Sequence, residues 1–103
     1  MQFEWDPDKE RINIEKHGID FETAAKVFND YLRYEIHDEK HSGYNKYGDW
    51  EDRYITIGLV HKVLYVVYTV RGAKSNEIIR MISARVALPR EREKYIKWWE
   101  SQV

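Results

Sequence analysis

The chain has 103 residues and a formal net charge of −1, and 43% of its residues are hydrophobic, which suffices for a single core. It contains no cysteine, which excludes disulfide bonds, cysteine-ligated metal centres and cysteine nucleophiles. Because no apolar run reaches the length of a membrane helix and the first ten residues lack a signal-peptide pattern, we expect one cytoplasmic domain over residues 1–103 and no membrane partner.

Two helices are predicted near the start of the chain. An Asp-Pro pair at residues 6–7 gives an N-cap followed by proline at the first helical position, and Gly18 is typical of a helix end. The first helix therefore spans residues 7–17, with Ile12 expected in the core. Asp20 caps the second helix, whose apolar residues have the spacing of one buried stripe: Phe21, Ala24, Ala25, Val27 and Phe28.

Four strands are predicted after the helices, from their alternating pattern and their content of β-branched and aromatic residues. Their ranges are residues 31–36, 53–59, 63–70 and 77–84. The short connections between the last three imply antiparallel neighbours. Residues 38–52, between the first two strands, are polar and tyrosine-rich, and this length indicates a binding or regulatory loop. The acidic residues of the loop, with His37 and His41, are expected to be solvated; the alternative is that they bind a cation.

A last helix is predicted over residues 90–101, with Pro89 at its start. Tyr95, Ile96 and Trp99 share the face that is expected to pack on the sheet. The element order has no helical crossover between strands, which favours an α+β fold. We predict two N-terminal helices, a four-stranded antiparallel sheet with helices on one side, and a C-terminal helix.

Ionised residues are unevenly distributed along the chain in spite of its small net charge. From Met1 to Gly48 the acidic side chains outnumber the basic ones, whereas Glu77 is the single carboxylate in residues 53–90. The basic residues of that segment are Arg53, Lys62, Arg71, Lys74, Arg80, Arg85 and Arg90. Such segregation predicts one strongly positive face.

Arginine is suited to binding phosphate, because its planar guanidinium donates two parallel hydrogen bonds and stays charged at physiological pH. The candidate phosphate ligands are Arg53, Arg71, Arg80 and Arg85. In a regular strand Arg80 and Arg85 point to opposite faces, so their convergence requires a bulge or a strand end. The alternative is that these arginines protect strand edges and pair with Glu77, Glu91 or Glu93.

A set of short motifs occurs in order along nearly the whole chain. The motifs are Phe3-Glu4-Trp5-Asp6, Lys9, Asn13, Lys16-His17-Gly18, Phe21-Glu22, Ala25, residues 53–58, 67–72 and 80–85, and the Arg-Glu-Arg run before Tyr95. Taken together they resemble the BrnT toxins, ribonucleases of type II toxin–antitoxin modules with a RelE-like fold. The chain differs from that family in a longer tyrosine-rich loop at residues 43–49.

The resemblance implies an endoribonuclease that inhibits translation and is neutralised by a BrnA-like antitoxin. Such an antitoxin carries a ribbon-helix-helix domain, so operator DNA would be bound only through the antitoxin. RNA cleavage without a metal ion uses the 2′-hydroxyl of the substrate as the nucleophile, so the protein supplies positive charge and proton transfer. We therefore expect no metal and no cofactor.

The predicted catalytic residues are Arg71, Arg80 and Arg85, which stabilise the transition state, and His17, which transfers a proton. The alternative for His17 is a capping role at the end of its helix. The predicted RNA-binding residues are Arg53, Lys16, Lys74, Tyr47 and Trp50, the two aromatics stacking on single-stranded RNA or contacting the antitoxin. The alternative function is a non-catalytic RNA- or partner-binding module that acts as a co-repressor with a DNA-binding antitoxin.

Overall fold

Six strands and three helices make up the fold in the computed structural model, which describes residues 1–103. The strands are β1 (Gln2–Glu4), β2 (Tyr34–His37), β3 (Gly43–Tyr44), β4 (Trp50–Val60), β5 (Lys62–Arg71) and β6 (Ile78–Val86). The helices are α1 (Pro7–His17), α2 (Phe21–Ala25), which continues as a 3-10 turn over Lys26–Asn29, and α3 (Pro89–Gln102). None of these helices combines the length and the apolar character needed to cross a membrane.

The sheet has the strand order β1-β6-β5-β4-β2, with β3 paired separately to the start of β4. The antiparallel neighbours β4, β5 and β6 were predicted correctly, but the expected total of four strands is wrong. Strand β1 runs parallel to β6, and β3 is antiparallel to β4. Both missed strands are too short to show an alternating pattern. In addition, β1 forms only by pairing with β6, which is distant in the sequence.

Helix α1 has the predicted bounds, because its N-terminal and C-terminal signals are local. The Asp6 side chain accepts a hydrogen bond from the backbone N–H of Asp8, and Gly18 adopts a left-handed conformation at φ 71°. The prediction for Ile12 is wrong, because 43% of this residue is exposed. Asn13 is instead the buried residue of α1, with 5% of its surface exposed.

Asn13 is buried because α1 lies against the outer edge of β6, beyond the point where β1 ends. Its side-chain Nδ2 donates to the Ala84 carbonyl at 2.9 Å, and its Oδ1 accepts from the Ala84 N–H at 3.0 Å. The side-chain amide thus makes the two hydrogen bonds that a neighbouring strand would make.

The core lies between the sheet and α2. Phe21, Ala24 and Val27 are fully buried, as predicted, and Val27 packs directly on β4 because Gly58 has no Cβ. The remaining core residues come from the sheet: Leu64, Val66, Tyr68, Ile79, Met81 and Ala84. The other two members of the predicted stripe are only half-buried.

Helix α3 packs on the opposite face of the sheet, so the prediction of helices on one side is wrong. Gly58 of β4 faces Val27, so the preceding residue Ile57 points to the other side of the sheet. Tyr34 of β2 is paired with Ile57 and shares that side, and its ring lies 5.8 Å from the ring of Trp98 of α3. Tyr95 is 7% exposed and its hydroxyl donates to Asp30 at 2.7 Å, which confirms its predicted place in the core. The other two residues of the predicted packing face of α3 are largely exposed.

Candidate functional site

The four candidate arginines point to one face of the sheet, which we call the arginine face. The register places Arg53, Thr69 and Arg80 side by side across β4, β5 and β6. Arg71 lies two residues after Thr69 on β5 and therefore shares its face. Arg85 is opposite the residue four positions before Thr69, so its side chain points the same way.

A β-bulge in β6 makes this convergence possible. The pairing between β5 and β6 shifts by one residue, which leaves Ile82 as an extra residue in β6. Arg80 and Arg85 would point to opposite faces of a regular strand, and the extra residue brings both to the same face. The bulge that a shared face requires is therefore present, although the two arginines stay apart along β6, opposite Thr69 and Tyr65 of β5.

Three of the four arginines donate hydrogen bonds to carboxylates of other elements. Glu4 of β1 accepts hydrogen bonds from Arg71 at 3.0 Å and from Arg80 at 3.3 Å. Arg85 forms a bidentate pair with Glu91 of α3, at 2.7 and 2.9 Å. Hydrogen bonding from Arg71 lowers the pKa of Glu4, and hydrogen bonding from Arg85 lowers the pKa of Glu91. The predicted alternative pairing with Glu91 is confirmed, whereas the pairing with Glu4 depends on the missed strand β1.

Arg53 differs from the other three because its guanidinium makes no hydrogen bond to the protein. Its Nε atom is buried without a partner, and the nearest carboxylate oxygen, Oδ2 of Asp38, lies 3.7 Å away. Since the terminal nitrogens are also unpartnered, the Arg53 fork is free to bind an anion.

The loop between β2 and β4 lies over the arginine face and borders two hollows. The Arg71 hollow, of about 330 Å³, is lined by Arg71, Arg80, Glu4 and Tyr47 among others. The Arg53 hollow, of about 250 Å³, is lined by Arg53, His41, Tyr44, Thr69 and Ile82 among others. Asn45 and Glu51 line both hollows, so the two are neighbours. The loop predicted to serve binding or regulation thus adjoins the arginines.

A histidine and an aspartate from the start of this loop stand at the Arg53 hollow. Nδ1 of His41 is 2.8 Å from Oδ2 of Asp38, the oxygen that faces Arg53. The hydroxyl of Ser42 donates to the Asp38 carbonyl at 2.9 Å and accepts from the Arg53 N–H at 2.8 Å. The sequence analysis predicts His41 as a solvated loop residue and does not predict its contact with Asp38. The available signal was the spacing of Asp38 and His41, three residues apart, which one turn of 3-10 helix brings together.

The predicted RNA-binding aromatics lie in different places. Tyr47 is 78% exposed, lines the Arg71 hollow, and has the Lys46 ammonium 5.1 Å from its ring centroid. Trp50 alternates with the residues of the arginine face along β4, so it points to the other side of the sheet. Its Nε1 donates to Asp52, and its ring packs edge-on against Tyr44. The structure therefore brings Tyr47, but not Trp50, to the arginines.

The predicted basic residues outside the strands lie around the arginine face. Lys74 is exposed in the 3-10 turn that joins β5 to β6, shortly after Arg71. Lys16 and His17 line a hollow beside α1 that also touches Ile82. No arginine lines that hollow, so His17 is separated from the arginines by the bulge residue.

Comparison with known proteins identifies a family whose model matches most of the chain. A family model described as the ribonuclease toxin BrnT of type II toxin–antitoxin systems matches residues 5–91. The matched range contains all four arginines, the His41 and Asp38 pair, and Glu91, but it begins one residue after Glu4. No curated protein was found to match the chain.

Proposed function

Because this chain belongs to the BrnT family of ribonuclease toxins of type II toxin–antitoxin systems, we propose that it cleaves RNA at the arginine face without a metal ion. The observation that carries the proposal is that four arginines lie on one face, with Arg53, Arg71 and Arg80 at two neighbouring hollows and the Arg53 guanidinium without a hydrogen bond to the protein. A free guanidinium in a partly enclosed hollow is a suitable ligand for a phosphodiester.

The proposed reaction starts with attack of the ribose 2′-hydroxyl on the adjacent phosphorus. The bond from O2′ to phosphorus forms while the bond from phosphorus to O5′ breaks, which leaves a 2′,3′-cyclic phosphate and a 5′-hydroxyl. Negative charge accumulates on the non-bridging oxygens in the transition state, and fixed positive charge lowers its energy more than that of the ground state. We assign Arg53 to bind the phosphate, and Arg71, Arg80 and Arg85 to contribute charge from the same face.

The remaining predicted residues are assigned supporting roles. We assign Tyr47 to stack on a base beside the Arg71 hollow, and Lys16 and Lys74 to extend the path of the RNA around the face. RNA binding by Trp50, which points to the other side of the sheet, stays a prediction. Proton transfer by His17 stays a prediction, because this side chain lies across Ile82 from the Arg53 hollow.

The proposal extends to the partners and the biological effect. A type II module pairs its toxin with a protein antitoxin, which supports a proteinaceous inhibitor for this chain. We propose that the inhibitor is BrnA-like and carries a ribbon-helix-helix domain. The complex would bind operator DNA only through this domain. We also propose that the protein acts in the cytoplasm, where cleavage of RNA would inhibit translation.

One observation favours the alternative of a non-catalytic binding module. Carboxylates already pair with Arg71, Arg80 and Arg85, which reduces the charge available to a phosphate. In that alternative the arginine face holds RNA or an acidic partner, and the chain acts as a co-repressor with its antitoxin.

Incubation of the purified chain with a defined single-stranded RNA and excess chelator separates the two functions. We expect cleavage products that end in 2′,3′-cyclic phosphate, and we expect Arg53→Ala to lower the rate by about a hundredfold or more. The matched control is Arg11→Ala, because Arg11 makes only exposed ion pairs on α1 with Asp8 and Glu15. Intact RNA that is retained by the protein would support the binding module, and loss of cleavage on adding chelator would contradict metal independence.

Expression of the chain in bacteria tests the toxin role. We expect growth arrest with reduced incorporation of labelled amino acids, and recovery when a ribbon-helix-helix protein encoded by the neighbouring gene is expressed as well. An Arg80→Ala/Arg85→Ala double variant is expected to allow growth. Unhindered growth with the unaltered chain would contradict the toxin role.

A further inference from the structure

We propose that His41 is the general base of the reaction and that Asp38 is the residue that positions it. This inference rests on the proposed ribonuclease function and assigns to it a proton acceptor that the predicted site residues did not include. The observation behind it is the contact between His41 and Asp38 at the Arg53 hollow.

The contact with Asp38 fixes which nitrogen of His41 is free. Oδ2 of Asp38 lies 2.8 Å from Nδ1 of the imidazole. A carboxylate only accepts hydrogen bonds, so Nδ1 of the neutral ring carries the proton and Nε2 keeps its lone pair. A base oriented by a third group in this way is the arrangement that activates hydroxyl nucleophiles in other hydrolytic sites.

Hydrogen bonds to its backbone N–H and carbonyl hold Asp38 in place. Its N–H donates to the Arg53 carbonyl at 2.7 Å, and its own carbonyl accepts from the hydroxyl of Ser42 at 2.9 Å. The N–H of His41 donates to the same Asp38 carbonyl at 3.2 Å. The base and the phosphate ligand are therefore tied to the same point of β4, which fixes their relative position.

His41 is the one histidine of four that lines a hollow with an arginine of the arginine face. His37 is paired with Tyr54 in the register, and the two rings lie 4.9 Å apart on the other side of the sheet. His17 lies across Ile82, and His61 is in the turn between β4 and β5. His41 is 57% exposed at its side chain, so Nε2 is accessible to a substrate bound by Arg53.

The proton balance of the step is simple. Nε2 of His41 accepts the proton of the 2′-hydroxyl as O2′ bonds to phosphorus. The departing O5′ takes a proton from water, and the imidazolium returns its proton to solvent. Asp38 stabilises the imidazolium by the hydrogen bond that it already accepts in the free protein.

The test is single-turnover RNA cleavage by His41→Gly and Asp38→Asn variants. We expect His41→Gly to lower the rate by about a hundredfold to ten-thousandfold, to leave the affinity for a non-cleavable 2′-O-methyl RNA unchanged, and to be partly rescued by added imidazole. Asp38→Asn is expected to lower the single-turnover rate at saturating protein without weakening RNA binding. The matched control is His61→Asn, because asparagine tolerates the positive φ of 60° at that turn.

Three results would overturn the assignment of the base. The first is an unchanged rate in His41→Gly while Arg53→Ala is impaired, which leaves the ribonuclease function standing. The second is a loss of rate that imidazole does not rescue, which indicates a structural role. The third is recovery of His41→Gly on RNA with a 5′-bridging sulfur, whose leaving group needs no proton, since that makes His41 the acid. Absence of cleavage by the unaltered chain contradicts the proposed function itself.

Discussion

Glu4 is a single carboxylate that holds two guanidinium groups of the arginine face. Arg71 and Arg80 both donate to its Oε1, at 3.0 and 3.3 Å. A phosphate that uses the same two side chains must displace this oxygen or share the arginines with it. If RNA binds at the arginine face as proposed, Glu4 is expected to lower the affinity of the Arg71 hollow for it, while its hydrogen bonds hold both arginines at the hollow.

Replacing Glu4 by glutamine tests this reading at the level of one charge. We expect Glu4→Gln to tighten binding of a 2′-O-methyl RNA by about fivefold, which corresponds to the roughly 1 kcal/mol of an exposed ion pair. The salt dependence of the affinity is expected to steepen, by about 0.7 in the logarithmic slope for each additional phosphate contact. Fluorescence anisotropy over a range of salt concentrations measures both quantities.

The control for this prediction is Glu15→Gln, which makes the same change of charge on the exposed side of α1. Equal tightening in both variants would show a non-specific charge effect, and an unchanged slope in Glu4→Gln would show that Arg71 and Arg80 do not contact phosphate.

At the scale of elements, α3 is attached to the sheet through Arg85 and Glu91. The guanidinium of Arg85 lies 4.1 Å from the ring centroid of Tyr65 and donates two hydrogen bonds to Glu91. Glu91 also accepts from the N–H of Leu88, which closes the first turn of α3. One carboxylate therefore caps the helix and fixes it to β6.

The pKa of Glu91 determines how this attachment depends on pH. Hydrogen bonding from Arg85 lowers that pKa below its ordinary value of 4.5, so the pair stabilises the fold above this value and the stabilisation is lost as pH falls through the lowered pKa. We expect Glu91→Gln to reduce the free energy of unfolding by about 2 kcal/mol at pH 7 and by much less at pH 3. Urea unfolding at the two pH values measures the difference.

Glu93→Gln is the matched control, because Glu93 pairs only with the exposed Lys97 of the same helix. A loss of stability in Glu91→Gln that is equally large at pH 3 and pH 7 would contradict the ionic origin of the effect.

The elements that the sequence predicts well are those with local signals. Helix α1 begins and ends as predicted because its cap residues act within one turn, and β4, β5 and β6 follow from their alternation and short connections. Strand β1 has three residues and acquires its structure only by pairing with β6, so no local pattern indicates it. The side of the sheet on which α3 packs likewise depends on tertiary contacts.

The candidate site was predictable in its residue types but not in its geometry. The four arginines stand out by chemistry, yet a one-residue bulge at Ile82 decides whether Arg80 and Arg85 share a face, and no sequence signal marks it. The carboxylate at Glu4 depends on β1. The pair of Asp38 and His41 gains significance only because the loop adjoins Arg53.

On the scale of the whole molecule, folding mixes the charges that are segregated along the chain. Glu4, Asp38 and Glu91 lie outside the basic segment 53–90, and each is brought to an arginine of that segment. The prediction of one strongly positive face counted charges along the sequence and so omitted these partners. What the fold retains is a small region around Arg53 where the guanidinium has no hydrogen bond to the protein and the nearest carboxylate oxygen, Oδ2 of Asp38, lies 3.7 Å away.

Side chains bind the backbone of β6 and β4 beyond the residues that pair with the short edge strands β1 and β2. Asn13 fills the hydrogen bonds of Ala84 on the outer edge of β6. At the other side, Asp30 accepts from the Leu59 N–H of β4 and from the Tyr95 hydroxyl. An edge with unpaired backbone groups is a template for adding a strand from another molecule, so these two polar side chains limit self-association.

We expect Asn13→Ala to lower the free energy of unfolding by about 2 to 4 kcal/mol, because it leaves the Ala84 N–H and carbonyl without partners in a buried position. The variant is also expected to form larger species as its concentration rises, as measured by light scattering. Ile12→Ala, on the exposed side of the same helix, is the control. A variant that stays monomeric with unchanged stability would contradict the role of Asn13.

The amide of Asn13 also bears on how long a liberated toxin lasts. For a toxin molecule without its antitoxin, aggregation competes with the encounter of its target, and an open sheet edge favours aggregation. By closing the edge of β6, Asn13 is expected to lengthen the working lifetime of the free molecule, independently of how fast it acts on its target.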